Sequence, residues 1–360
     1  MPRSFTENEV IERIETMRRR RPDFKDRHIT MSHGSGGKAS RQLVEGMIIP
    51  ALDNPALALL GDAALLDVEG STIALTTDSF VVSPLRFPGG SIGELAVNGT
   101  VNDLACLGAR PLALSAGLIL EEGLSSDVLE AEVQAMAAAA RAVGVPVVTG
   151  DTKVVERGKC DGLYINTTGI GLVAEGRMLG PGYVRPGDTV LVSGTIGDHG
   201  MAIMLARGEL DISADLDSDT MPLWDVAQAL MTTVGDDLHC MRDATRGGVA
   251  TVLNEIAMTS QLGVIVREDQ LPLRDAVVGA SEILGIDPLY VANEGKLVAF
   301  VAPDRAEEAL AAVRATPQGA DAAIIGEVAV EPEGRVLGRT TFGGHRIIDM
   351  LVGDPLPRIC

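Results

Sequence analysis

The last residue of the sequence is Cys360, a thiol carried on the run Gly353-Asp354-Pro355-Leu356-Pro357-Arg358-Ile359-Cys360. Two prolines one residue apart hold φ near the polyproline value, so the run reads as an extended, fairly stiff stem. Eight extended residues span at most about 26–29 Å, enough to swing a thiol from the surface into a pocket. The ordinary reading of such an end is a frayed terminus. Prenylation fits poorly, because its box places the cysteine four residues from the end.

A second group is acidic. Asp62, Asp78 and Asp151 stand at apparent strand ends beside Gly or Thr, and Asp103 stands on a helix next to Asn102. Strand ends are where α/β proteins gather ligand groups. Converging carboxylates repel one another unless a cation sits among them; Mg²⁺ is the natural occupant, and it implies phosphates. Taken singly, such aspartates are also what turns and caps prefer. Lys153, two residues after Asp151, can set a cation against a triphosphate.

The glycine-rich run Ser32-His33-Gly34-Ser35-Gly36-Gly37-Lys38-Ala39-Ser40 is close to a P-loop, but Ser32 stands where that motif needs glycine. Its match to the dinucleotide fingerprint is formal only, since no buried strand precedes it. Its glycines still expose N–H groups able to close over phosphates, which makes Gly36, Gly37 and Lys38 candidates. Asp243-Ala244-Thr245-Arg246-Gly247-Gly248 opens a helix, so its N–H groups and Arg246 can meet an anion; alternatively Arg246 pairs with Asp243 in a capping turn. Glu294 and Glu255 fit a general base. His33, His199 and His239 show no metal-ligand spacing and read as loop or surface residues. Cys106 and Cys240 read as small packed hydrophobes.

These groups must be held by a sizeable framework. The 360 residues suffice for two domains, and 46% hydrophobic with 3% aromatic residues implies cores of Ala, Val, Leu and Ile, as in an α/β or α+β enzyme. A net charge of −20 excludes a nucleic-acid surface, though not a nucleotide bound through a cation. The four cysteines form no C-x-x-C pair, so neither zinc nor a disulfide framework is signalled and a reducing cytoplasm fits. The first residues lack the apolar region of a secretory signal, and no apolar run approaches the ~20 residues of a membrane span.

Thr6-Glu7-Asn8-Glu9 reads as a capping box for a helix running to the basic cluster Arg18 to Arg21, stopped by Pro22. From Leu57 the pattern becomes strands broken by acidic turns. Ser91-Ile92-Gly93-Glu94 is a second capping box, and Ser125-Ser126-Asp127 caps a long alanine-rich helix. Residues 175–188, rich in Gly and Pro without a periodic apolar face, mark a domain boundary. Further strands and helices follow, from Thr189 to Val330. The division expected is a basic helix and linker (1–30), a first domain (31–175), a second α/β domain (186–335) and a tail (336–360).

Taken together, Gly34-Ser35-Gly36-Gly37-Lys38, Phe80-Val81-Val82-Ser83-Pro84-Leu85, Gly150-Asp151-Thr152-Lys153, Ser193-Gly194-Thr195-Ile196-Gly197-Asp198-His199-Gly200, Arg242-Asp243-Ala244-Thr245-Arg246-Gly247-Gly248 and Pro357-Arg358-Ile359-Cys360 resemble the HypE family of hydrogenase maturation proteins, within the PurM-like aminoimidazole ribonucleotide synthetase superfamily. The resemblance runs from about His33 to Cys360. It implies a two-domain α/β fold, a homodimer whose first domains share a β-barrel, and a flexible tail. It implies ATP between the domains, with Mg²⁺ on Asp62, Asp78, Asp103 and Asp151, and Gly36, Gly37, Lys38, Asn102, Asp151, Thr152 and Arg246 as nucleotide contacts. The reaction implied is transfer of a carbamoyl group to Cys360 by HypF, ATP-driven dehydration to a thiocyanate, and delivery of cyanide to iron on HypC–HypD. Lys153 would neutralise developing charge and Glu294 would act as base, with Glu255 and His33 behind it. The rival readings are a superfamily kinase or synthetase, of the thiamine-monophosphate kinase or selenophosphate synthetase type, and a non-catalytic scaffold.

Overall fold

The computed structural model describes residues 24–52, 54, 56–57, 60–208, 214–353, 356 and 358–360; the helix expected over 6–21 lies outside them. The glycine-rich loop leads into α1 (Lys38–Leu43), which continues as a π-helical turn (Val44–Ile48). The first domain then runs β1 (Ala64–Val68), β2 (Ser71–Phe80), the short hairpin β3 (Arg86–Phe87) and β4 (Gly90–Ser91), α2 (Ile92–Cys106), β5 (Ala109–Glu121), α3 (Ser126–Ala142), β6 (Val147–Val155) and β7 (Leu163–Val173). Its sheet has the order β1-β2-β7-β5-β6. Only β5 and β6 are parallel, as the α3 crossover between them requires.

α2 is the element on which the rest packs. Its sequence is apolar or small all round, the signature of a helix covered on every side. One side packs on β2 and β7, another on α3, while Ala105 and Cys106 enter a core shared with Leu191, Val226 and Leu230 of the second domain. Ser91 opens α2 in the extended conformation, but its hydroxyl makes no cap bond; only Glu94 returns a bond, to the Ser91 N–H. Ser125 does cap α3, accepting from Asp127 N at 3.3 Å.

The second domain contains β8 (Thr189–Val192), α4 (Asp198–Ala206), α5 (Trp224–Val234), β9 (Leu238–Asp243), α6 (Gly248–Ser260), β10 (Gly263–Arg267), α7 (Asp275–Leu284), β11 (Leu297–Val301), α8 (Ala306–Arg314), β12 (Ala323–Ala329), β13 (Val336–Arg339) and β14 (His345–Ile348). Seven strands form one sheet in the order β14-β13-β10-β12-β8-β11-β9. β11 is buried along its whole length, and its run Leu-Val-Ala-Phe-Val is accordingly apolar without alternation. The chain from 336 was expected as tail, yet β13 and β14 still pair in this sheet, because their alternate residues Val336 and Ile348 have a core to enter. Among the described residues no helix is long and apolar enough to cross a membrane.

α2 and α3 meet through backbone. A Cβ at Gly93 would lie 2.2 Å from the Glu132 carbonyl oxygen, and the buried Glu132 carboxylate accepts from Gly93 N at 3.1 Å while pairing with Arg86. Gly93→Ala should therefore lower stability by about 1–3 kcal/mol, read from the urea midpoint; an unchanged midpoint would show that α3 can move aside freely.

Candidate functional site

α2 and the ends of β2 and β9 bring carboxyl groups to one place at the domain junction. Asp103, near the end of α2, accepts from the Thr76 hydroxyl at 2.6 Å. Asp78 is near the end of β2, Asp243 closes β9, and Asp62 lies just before β1. Asp62 Oδ1 is 2.7 Å from Arg242 Nε, which leaves its Oδ2 buried without a hydrogen-bond partner. Ligand atoms of Asp62, Asp243 and the Cys106 thiol all lie within 4.8 Å of one another.

Loss of water around these groups raises every carboxyl. Asp62 is pushed up to about 6, burial outweighing the opposing pull of Arg242. Asp103 and Asp243 are held well above the ordinary carboxylate value, first by burial and then by the neighbouring aspartates. Asp78 is raised by burial against the opposing charge of Arg246. Glu294 is buried and raised well above its ordinary value by burial, Asp78 and Asp243, and its Oε1 has no partner. Oxygens drawn out of water and left unpaired, repelling one another, are what a hard cation relieves. The donor set fits Mg²⁺.

The thiol of Cys360 lies in this site. It is 7% exposed, and Arg246 Nε donates to its Sγ at 2.9 Å. Burial outweighs the guanidinium and pushes the thiol up to about 12, with Glu294 and Asp78 adding to the rise. Arg246 also donates to the carbonyls of Gly34 (3.0 Å) and Ser79 (3.4 Å), and so binds thiol, glycine-rich loop and β2 together. Asp243 is not among the partners of that guanidinium. A cavity of about 430 Å³ opens beside the thiol, lined by Ser32, His33, Gly34, Val81, Arg246 and Ile359 among others.

Other candidates are placed differently. Lys38 N donates to Leu351 O at 2.8 Å and its Nζ pairs with Asp349, so the glycine-rich loop is engaged with the base of the tail. Gly37 packs on the Leu351 carbonyl, and Gly36 N donates to Ser40 Oγ. Asn102 uses its amide on backbone, donating to Met221 O (3.0 Å) and accepting from Leu223 N (2.7 Å), and so pins α2 to the second domain. Glu255 pairs with Arg242. Asp151 and Lys153 stand apart from the cluster, on β6 at the sheet edge. They form a 2.7 Å pair with side chains 68% and 69% exposed, and Thr152 N donates to Asp151 Oδ1.

All three histidines read from sequence as loop or surface residues are buried. His33 bonds Asp26, His239 bonds Asp188, and His199 bonds the tail. Cys106 and Cys240 are fully buried, as expected. Asp243 and Asp219 were not anticipated as site residues. Asp243 ends a strand, much as Asp78 does, and was open to the same argument. Asp219, which accepts from Glu294 N at 2.9 Å and pairs with buried Lys296, sits in a loop with no sequence signal. Gly295 has no room for a side chain, its Cβ position being 1.9 Å from the Asp219 carbonyl.

The chain matches the AIR synthase related protein N-terminal domain over residues 60–173 and the corresponding C-terminal domain over residues 185–339. It is 51% identical over 340 residues to the carbamoyl dehydratase HypE of Rhodobacter capsulatus, covering 94% of this chain and 99% of that protein. A crystal structure of the hydrogenase maturation protein HypE in complex with ATP superposes with a TM-score of 0.77 at 49% identity, covering 92% of this chain and all of that one. A HypE–HypF complex gives 0.82 at 48% identity, covering 86% and 99%.

The carboxyl cluster sets a pH dependence. Groups raised in the folded state hold protons that the unfolded chain has already released. Their contribution is full below the ordinary Asp value of 3.8 and is lost as pH rises through about 6. The melting temperature of cation-free protein should fall across that window, and fall less in Asp243→Asn; equal slopes would show that the cluster is not protonated as described.

Proposed function

The chain belongs to the HypE family of carbamoyl dehydratases, within the AIR synthase related proteins, and from that membership and its site we propose how its own residues perform the reaction. It uses ATP to dehydrate a carbamoyl group on Cys360 to a thiocyanate, in the cytoplasm, supplying cyanide for the iron of [NiFe]-hydrogenase. The observation that carries this reading is the Cys360 thiol seated against Arg246, beside the carboxyl cluster. HypF supplies the carbamoyl group and HypC–HypD accepts the cyanide.

An amide oxygen is a very poor leaving group. Phosphorylated by ATP, it departs as phosphate while the nitrogen gives up two protons and the C≡N bond forms. Arg246 orients the sulfur. Glu294 takes a proton from the nitrogen once its neighbours' charges are balanced; its buried position keeps it strongly basic. Asp62, Asp78, Asp103 and Asp151 would hold Mg²⁺, which supplies charge neutralisation for phosphoryl transfer. Gly36, Gly37, Lys38 and Thr152 would meet the nucleotide after the tail base releases the glycine-rich loop. Asn102 would contribute by holding α2 in place.

Asp151 and Lys153 cannot join this site within one chain. Asp78 and Gly150 lie in one row across β2, β7, β5 and β6, and three strand steps are about 14 Å. Being one residue on, Asp151 points to the opposite face from Asp78. Among the described residues nothing covers that face, which carries exposed Leu75, Ile119, Ile170 and Leu172. A second copy packing on this face, first domain to first domain as in a shared barrel, would bury them and offer its Asp151 and Lys153 to the neighbouring cluster.

The C-terminal peptide carbamoylated at Cys360 should lose one water with Mg-ATP by intact mass, and should not in Asp78→Asn or Glu294→Gln. ATP consumed with the adduct unchanged, or small-molecule phosphorylation surviving Cys360→Ala, would favour the kinase reading; no ATP turnover at all would favour the scaffold. Mixing inactive Asp151→Asn with inactive Glu294→Gln should restore dehydration through hybrid dimers. Failure of the mixture would remove Asp151 from the site.

A further inference from the structure

Besides its buried side chains and the Arg358–Asp161 pair, the tail is held by its main-chain carbonyls, and one fully buried residue is engaged with them. Val81 N donates to Cys360 O at 3.0 Å and Ser83 N to Arg358 O at 3.4 Å, so the end of the tail runs antiparallel beside the segment that follows β2. Two side chains of the second domain take up carbonyls of the tail. Arg207 reaches both strands, donating from Nε to Ser83 O (2.9 Å) and from Nη2 to Arg358 O (2.7 Å). His199 Nε2 is 2.5 Å from Ile359 O.

His199 is fully buried, and its ring is wedged edge-on against Phe87 with centroids 5.6 Å apart. A carbonyl only accepts, so Nε2 carries the hydrogen and Nδ1 receives one from the Ser218 hydroxyl at 2.8 Å. Ser218 is fixed in turn, its oxygen accepting from Thr220 N at 3.1 Å and its own N–H donating to Pro88 O at 2.8 Å. Ring orientation and tautomer are thus set before the tail arrives. Burial also keeps the imidazole neutral, by lowering its proton affinity.

We propose that His199, oriented by Ser218 and assisted by Arg207, is a positioning residue that clamps the Ile359 carbonyl and so registers the Cys360 sulfur against Arg246. A main-chain clamp suits a thiol whose substituent changes from hydrogen to carbamoyl to cyano, because none of those changes alters the carbonyls that are gripped. The inference deepens the reading of Cys360 as the carried thiol, but its test requires no turnover.

Iodoacetamide labelling of the full chain, resolved by cysteine through peptide mass, reads the seated fraction of the tail. In the wild type Cys360 should react slowly, and Cys106 and Cys240 should stay unlabelled. His199→Leu, which keeps bulk but not the donor, and Arg207→Met should each speed Cys360 labelling about tenfold, the ratio that one lost buried hydrogen bond produces. His199→Gln, with an amide donor at similar reach, should restore the slow rate. Unchanged Cys360 rates in His199→Leu and Arg207→Met would overturn the clamp. Cys106 and Cys240 rising together with Cys360 would also overturn it, showing that these groups hold the fold and not the tail. A His199→Gln protein as reactive as His199→Leu would remove the donor from the account.

Discussion

Four aspartates and one glutamate are drawn toward one point with too little positive charge to balance them, and much of the structure follows from that excess. Arg242 meets Asp62, and Arg246 offsets Asp78, yet Asp62 Oδ2 and Glu294 Oε1 remain unpaired. Such an arrangement costs free energy in the absence of a cation. It persists because the elements carrying these groups are over-determined by packing. α2 is enclosed on all sides, and β9 is buried along most of its length although it is the edge strand of the second sheet. Stability supplied by the apolar cores holds these mutually repelling carboxyl groups together.

The same site contains the protein's own substrate carrier. Cys360 is seated by main-chain bonds to Val81 and Ser83, by Ile359 and Leu356 in the core at the domain junction, and by donors from His199, Arg207 and Arg246. A buried thiol pushed up to about 12 is a poor nucleophile where it sits. In this seat the thiol is covered by the protein's own groups. The loop 214–223 ties these functions together. Through Ser218 it orients the tail clamp, through Asp219 it holds the Glu294 backbone, and through Met221 and Leu223 it grips Asn102 of α2.

Asp151 and Lys153 stand apart from the carboxyl cluster as a mutual ion pair. Their neighbours on β6 are exposed along the strand, and the sheet face beyond them carries aliphatic side chains in water. Exposed apolar faces of this kind are where interaction sites are commonly found.

Composition and pattern determined the α/β class, most of the helices and strands, and the acidic strand ends at Asp62 and Asp78, because these depend on local periodicity and on residue type; the extended stem expected at 354, 355 and 357 lies outside the described residues. Asp62, Asp78 and Asp103 were legible for that reason. Asp243 carried the same strand-end signal, masked by the helix opening beside it. Tertiary structure alone decided which groups share a point. It placed Asp219 and Lys296 under Glu294, turned His199 from an expected surface residue into the tail's buried partner, and spent Asn102 on backbone at the domain junction. It also sent Asp151 to the opposite face of the sheet from Asp78. Such outcomes follow from strand order, register and loop approach between residues far apart in the chain. A one-residue step in a strand reverses the face a carboxylate meets, and spacing along the sequence holds no record of what lies across from it.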